Sequence, residues 1–224
     1  MVEQNPEFDF YVYHRIGGKL TIIKEAVAIV RSEAVGVLTK EQKHFLDMAG
    51  SNINKLNKLL SDHFKFQNLK SGQIKVLPQK NDLNRLIREI AFLVEPPIKS
   101  KGLKLVLDLS ETLPKAFFDK YLFKEAILNI VSNAITYTNK GNVTIKTFLD
   151  GKNIKVAVED TGAGIKKEDI SVVFNHIEQW KRTNRICLGL AVSKEIISRH
   201  KGKIRIESIL NKGTTVWIAI PVAG

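Results

Sequence analysis

At 224 residues, with 44% of them hydrophobic and 26% charged, the chain is long enough for one large or two small domains, each with a real core. Its single cysteine, Cys187, excludes an internal disulfide, and no His/Cys group has metal-ligand spacing. No apolar run approaches the roughly 20 residues that span a bilayer, and the start, MVEQNPEFDF, is too polar for a signal peptide, so a cytoplasmic, reducing setting is expected. The formal charge is +12, with 10 Lys and Arg against 8 Asp and Glu in residues 1–70 and 25 against 15 in the remainder. The excess is interspersed with acidic and apolar residues, which fits solvated faces and an anionic ligand better than a nucleic-acid-binding arm.

From Phe8 to about Arg31 apolar residues recur at helical spacing: Phe8, Val12, Ile16, Leu20, Ile23, Val27 and Val30. A break follows over Ala34 to Leu38, and a second helical pattern places Phe45, Ala49, Ile53, Leu56, Leu60 and Phe64 on one face. Thr39 and Gln42 form a T-x-x-Q capping box at its start, and Glu41 in the first turn complements the helix dipole. Two long helices with a short connection predict an antiparallel hairpin. One apolar stripe per helix cannot be fully buried within it, so a homodimeric four-helix bundle is the simplest solution and packing onto the second domain is its rival.

The helical pattern fades near Lys70, and residues 71–81 read as a linker with a short strand. From Asp82 onward a helix is predicted that stops at Pro96-Pro97, then a strand over 103–109, a helix from about Asp119 to Tyr137, and the strands NVTIKTFL and NIKVAVED. A helical stretch from Leu190 to His200 and the strands KIRIESI and TTVWIAIP complete it. The predicted fold is α+β: a helical hairpin over 1–70, a linker over 71–81, and an α/β sandwich with one mixed sheet over 82–224.

Four stretches carry candidate chemistry. In EAILNIVSNAITYT, Asn129 and Asn133 fall four apart on one helix face with Glu125 one turn earlier, and an amide oxygen can complete the oxygen shell of Mg²⁺. VEDTGAGIK puts an acid at a strand end before Gly162 and Gly164, which permit a tight turn and close ligand approach. CLGLAVSKEII places a glycine before a helix whose first N–H groups suit phosphate. NKGTTVWIAIP leads a loop into the closing strand. Taken singly, the asparagine pair reads equally as capping or surface residues, and each of the other three reads first as an ordinary turn, cap or hairpin.

In this order and spacing the chain resembles the catalytic core of a sensor histidine kinase of two-component signalling. NIVSNAITYT resembles the N box, DTGAGI the first glycine box, VVFNHI the F box, LGLAVSKEII the second glycine box and GTTVWIAIP the third, and the hairpin before them resembles the dimerisation and phosphotransfer domain. The resemblance implies a GHKL-type ATP-binding domain in which Asn133 binds Mg²⁺, Asn129 lines the phosphate side and Asp160 reads adenine. Gly162, Gly164, Ile165, Tyr137, Leu190 and Thr215 would complete the ATP pocket, with Glu125 in a catalytic role. Phe174 would anchor a lid running from about Asn175 to Leu188, and Gly189 would open the helix under the phosphates. His14 matches the phosphoacceptor. The implied partners are a second copy of the chain, a response-regulator receiver domain, and a sensor domain or sensory partner outside this chain, with no nucleic acid.

The sequence departs from the family at identifiable places. Where an acid commonly follows the phosphoacceptor this chain has Arg15, which cannot act as a base at neutral pH; Gly18 stands in place of a Thr or Asn, and the proline after it is absent, although Gly17-Gly18 could soften the helix at nearly the same place. In the second glycine box Arg185 and Cys187 stand where glycines are usual, and Thr136 stands where a lysine often contacts phosphate. Lys181, Arg182 and Arg185 could supply cationic charge instead. The leading expectation is an ATP-dependent protein-histidine kinase acting on His14. The alternative is a degenerate member serving as a histidine phosphotransferase or a dimeric regulatory scaffold.

Overall fold

The computed structural model describes residues 6–175 and 188–223. The chain divides into two compact units, Met1–Asn68 and Leu69–Gly224.

In the first unit α1 (Pro6–Arg31) and α2 (Lys40–Ser71, which ends just inside the second unit) form the antiparallel hairpin. Tyr13 stacks on Phe64 with ring centroids 4.6 Å apart, Val27 faces Gly50, and Arg31 is ion-paired with Asp47, so contacts climb one helix as they descend the other. The capping box is reciprocal: the Gln42 N–H donates to Thr39 Oγ1 at 3.2 Å and the Thr39 N–H to Gln42 Oε1 at 2.8 Å. Glu33, at φ 61°, accepts from the Leu38 N–H and pairs with Lys43, both at 3.0 Å. Those contacts fix the turn and hold the Glu33 carboxyl below its ordinary pKa. Helix α1 runs unbroken through Gly17 and Gly18, and a side chain at either would meet nothing within 4 Å. Within this unit Ile16, Ile22, Ile23, Ile29, Phe45, Met48 and Leu56 all remain exposed.

The second unit is built on a five-stranded sheet. Its strands are β2 (Lys104–Leu109), β4 (Asn142–Asp150), β5 (Asn153–Asp160), β6 (Lys203–Ile209) and β7 (Gly213–Pro221), in the order β2-β4-β5-β7-β6. Only β2 and β4 are parallel. Helices α3 (Leu83–Ser100), α4 (Lys120–Tyr137) and α6 (Leu188–Arg199) pack on one face, where Ile145, Ile154, Val156, Ile218 and Ile220 are buried. The other face is covered by charge, with Lys146 paired to Glu159 and Trp217 Nε1 donating to Glu207. Fully burying a Leu, Ile or Phe contributes about 1.5–3 kcal/mol. Phe118, Phe123, Leu86, Ile87, Ile90 and Ile127 are among the largest fully buried side chains of this unit.

One sequence expectation is corrected here. Helix α3 does not stop at Pro96-Pro97 but runs through both to Ser100. Proline removes the N–H owed to the carbonyls four residues back, those of Phe92 and Leu93, at a cost of about 3 kcal/mol. Both residues are exposed, so water can serve those carbonyls, while Val94 and Ile98 on the buried side hold the last turn against the core. Two short elements were not legible: β3 (Ala116–Phe118), paired antiparallel with β1 (Gln79–Asn81), and the single turn α5 (Lys167–Ile170).

The ends of α4 are fixed by side chains. Asp119 caps its start, accepting from the Tyr121 and Leu122 N–H groups, while Lys101 Nζ donates to the Ile135 and Thr136 carbonyls at 2.8 and 3.1 Å at its end. Among the described residues no helix is long and apolar enough to cross a membrane.

Candidate functional site

A cavity of about 590 Å³ opens in the second unit between α4, the helix-covered face of the sheet and the loop after β5. Strand alternation builds its floor. Asp160 on β5 pairs in register with Thr214 on β7, which pairs with Ser208 on β6, giving one polar row across three strands. One pleat further in, Val158, Val216 and Ile206 form an apolar row in the same order.

The loop is shaped by glycine. Gly164 has φ 66°, and a Cβ there would overlap the Ile209 carbonyl oxygen; a Cβ at Gly162 would lie 2.8 Å from Asp160 Oδ1. The Gly162 N–H donates to Asp160 Oδ1 at 2.8 Å, the Ala163 N–H to the Tyr137 carbonyl at 3.1 Å and the Asn211 N–H to the Ala163 carbonyl at 2.7 Å. The loop is thus pinned between the end of α4 and the β6–β7 hairpin. Burial raises the pKa of the half-buried Asp160 carboxyl, opposed by hydrogen bonds from the Gly162 and Thr214 backbone.

Of the residues predicted from sequence, Asn133, Tyr137, Asp160, Gly164, Ile165 and Leu190 line this one cavity. Gly162 lies beside it in the loop. Asn129 is buried behind it, with Nδ2 donating to the Gly189 carbonyl at 3.4 Å, so it joins α4 to α6 beside the wall. Gly189 packs its Cα against that amide, where a Cβ would come within 3.3 Å of Asn129 Cγ. Glu125 is half-buried on α4 and does not line the cavity; Phe174 lies 5.5 Å from Lys194 Nζ while its neighbour Val173 forms part of the wall. Thr215 faces the charged side of the sheet with Glu159 and Glu207, and Thr214 takes its place on the cavity side, because successive strand residues alternate faces. Lys181 and Arg182, with the lid segment after Asn175, lie outside the described residues. His14 is an exposed residue of α1 with its ring edge-on to Tyr13 at 5.5 Å.

Sequence reasoning missed Thr214 and the charged stretch Lys166, Glu168 and Asp169 at the wall, and Ser208, which pairs with Thr214 outside the lining. Counting back by twos from the buried Ile220, Ile218 and Val216 would have found Thr214. No signal in one sequence marks Lys166 to Asp169.

The arrangement can take an amino-bearing flat ring in the apolar part, against the Asp160 carboxylate. Asn133 offers an oxygen to a hard cation that keeps most of its waters and takes others from phosphate. Among the described residues no cluster of three or more His, Cys, Asp and Glu could hold a metal ion.

Comparison with known proteins agrees with this geometry. Residues 118–224 match the family of histidine kinase-, DNA gyrase B- and HSP90-like ATPases. The chain is 30% identical over 227 residues to the non-motile and phage-resistance protein of Caulobacter vibrioides, covering 96% of this chain and 27% of that protein. It is 24% identical to the adaptive-response sensory kinase SasA of Synechococcus elongatus, covering 94% of this chain and 57% of that protein. It therefore spans less than two thirds of the length of either relative. The crystal structure of full-length ShkA in complex with AMPPNP superposes over 97% of this chain and 46% of that one, with a TM-score of 0.79 at 24% identity, which shows a shared fold. With the N-box asparagines, the strand-end aspartate and the glycine loop gathered about one cavity, residues 118–224 carry a histidine kinase-, DNA gyrase B- and HSP90-like ATPase domain, and the chain is similar to sensor histidine kinase catalytic cores.

Proposed function

We propose that this chain binds ATP with Mg²⁺ in the cavity of its second unit and transfers the γ-phosphoryl group to the imidazole of His14, from which a response-regulator aspartate receives it. The observation that carries the reading is one cavity holding a half-buried carboxylate at an apolar end and Asn133 on the flanking helix. Asp160 accepts from the adenine amino group, Val158, Val216 and Ile130 exclude water from the ring, and Asn133 gives an oxygen to Mg²⁺. Mg²⁺ neutralises charge on the phosphates when bound. Helix α6, twelve residues long, brings Leu190 of its first turn to the cavity wall, which favours phosphate near its N-terminus.

At His14 an N–P bond forms as the bond between the γ-phosphorus and the bridging oxygen breaks, ADP leaves with that oxygen, and the imidazole proton passes to the solvent that reaches this exposed residue. Arg15 does not take that proton: a guanidinium offers donors and no acceptor, and this one donates to the Tyr11 hydroxyl and lies 5.2 Å from the Tyr11 ring centroid. Arg15 is the observation that favours the second reading, a phosphotransferase or scaffold with little kinase activity.

Incubation with γ-labelled ATP and Mg²⁺ separates the two. Acid-labile label, lost in His14→Gln and passed to a receiver-domain aspartate, is the expected result; ATP binding without label would leave only the second reading. The exposed apolar residues of the hairpin support a homodimer. Light scattering at micromolar concentration is expected to give twice the chain mass of 25.2 kDa, and a monomer would contradict the bundle.

A further inference from the structure

The hydroxyl of Ser208 does not line the cavity, yet it touches two residues that do. The Ile165 N–H donates to Ser208 Oγ at 2.8 Å, Ser208 Oγ donates to the Gly213 carbonyl at 2.9 Å, and Thr214 Oγ1 lies 2.9 Å from Ser208 Oγ. A serine hydroxyl has one proton and two lone pairs. Its proton goes to Gly213 and one lone pair to Ile165, so the remaining lone pair can only accept, and Thr214 must be the donor. The proton of Thr214 is thereby turned away from the cavity. Thr214 then shows the cavity lone pairs alone, beside an Asp160 carboxylate that receives the backbone N–H of the same Thr214.

We infer that Ser208 is a positioning residue that sets nucleobase specificity: by holding the Thr214 proton it makes the Asp160–Thr214 edge acceptor-only, selecting a purine with a 6-amino group over one with a 6-oxo group. With position 6 of the ring facing both groups, a 6-oxo purine would set its own lone pairs against two acceptors, and a buried unmatched acceptor costs enough to lower affinity roughly tenfold or more. Ser208 also secures Ile165, so its hydroxyl joins the loop and the hairpin that meet at the Gly164 backbone. The inference rests on the nucleotide reading of the cavity and goes beyond it in naming what enforces the choice of base.

The test measures Kd for ATP and for ITP, each with Mg²⁺, on the full chain by calorimetry. With Ser208→Ala the Thr214 hydroxyl can rotate and donate, so the ITP-to-ATP ratio of Kd is expected to shrink about tenfold, chiefly through tighter ITP binding. Ser208→Thr, which keeps a hydroxyl, is expected to restore the ratio. Thr214→Val should shrink the ratio by itself, and Ser208→Ala added to it should change the ratio no further, because the two act as one unit. Should Ser208→Ala not fold, an unchanged ratio in Thr214→Val overturns the inference. So does an equal loss of affinity for both nucleotides in Ser208→Ala, which would make Ser208 a structural residue only. Absence of ATP binding by the unsubstituted chain would overturn the functional reading itself and this inference with it, whereas normal binding with an unchanged ratio removes this inference alone.

Discussion

Replacing Asp160 by asparagine is expected to weaken ATP binding by at least about 100-fold while raising the melting temperature of the nucleotide-free chain at neutral pH. The first effect follows from hydrogen-bond chemistry. A charged acceptor contributes about 1.5–3 kcal/mol, and the asparagine NH₂, if it faces the adenine amino group, sets donor against donor. The second follows from burial, the largest influence on this carboxyl, which raises its pKa from the ordinary value of 3.8. From pH 3.8 upward through the raised value, the folded state holds more proton than the unfolded state. Stability contributed by this group is therefore present at low pH and lost as pH rises across that window. Asparagine keeps an oxygen for the Gly162 and Thr214 N–H groups without the charge, so the loss does not occur. Thermal melts at pH 7 and pH 3.5 should show the variant ahead at pH 7 and level at pH 3.5. Normal ATP affinity in the variant would remove Asp160 from the nucleotide site, and a lower melting temperature at pH 7 would show that its carboxylate stabilises the fold.

What could be read in advance divides along physical lines. The Thr39–Gln42 capping box, the two long helices and all five strands of the main sheet were legible, because caps and periodicities are local and the structure leaves them unopposed. Pro96-Pro97 misled for the converse reason: a local breaker was overridden by the burial of Val94 and Ile98, which no window of sequence reports. The lining of the candidate cavity was legible where the residues sit on one element, as with Asn133 and Tyr137 on α4, or in one loop, as with Asp160 and Gly164. It was not legible where pairing decides. In Thr214-Thr215 either residue could face the cavity until the register with Asp160 is known, and Ser208 enters only because β6 pairs with β7.

The same dependence on pairing hides His200, whose role yields the second large effect. It is 5% exposed at the end of α6, with Nδ1 2.7 Å from the Ile196 carbonyl and Nε2 accepting the Asp119 N–H at 2.9 Å. Those partners require the neutral ring, protonated on Nδ1. Its edge meets Phe123, which packs on Phe118, so one imidazole ties the end of α6 to the start of α4. The same two helices are joined midway by Ser193 Oγ, which donates to the Ala126 carbonyl at 3.1 Å. Burial lowers the His200 pKa from 6.5, against smaller raising effects from Ile196 and Asp119. Below pH 6.5 the unfolded chain therefore binds a proton that the folded chain resists. Stability falls as pH drops from 6.5 through the lowered value, and protonation would set an Nε2–H against the Asp119 N–H. His200→Ala is expected to cost about 2–4 kcal/mol, from the cavity left beside Phe123 and the orphaned Asp119 donor. His200→Gln, which can accept from Asp119, should cost less, and both should flatten the loss of stability between pH 6.5 and 5 in urea titrations. If that acid limb is as steep in the variants as in the unsubstituted chain, another group carries it, and the joint between α4 and α6 does not depend on the charge state of His200.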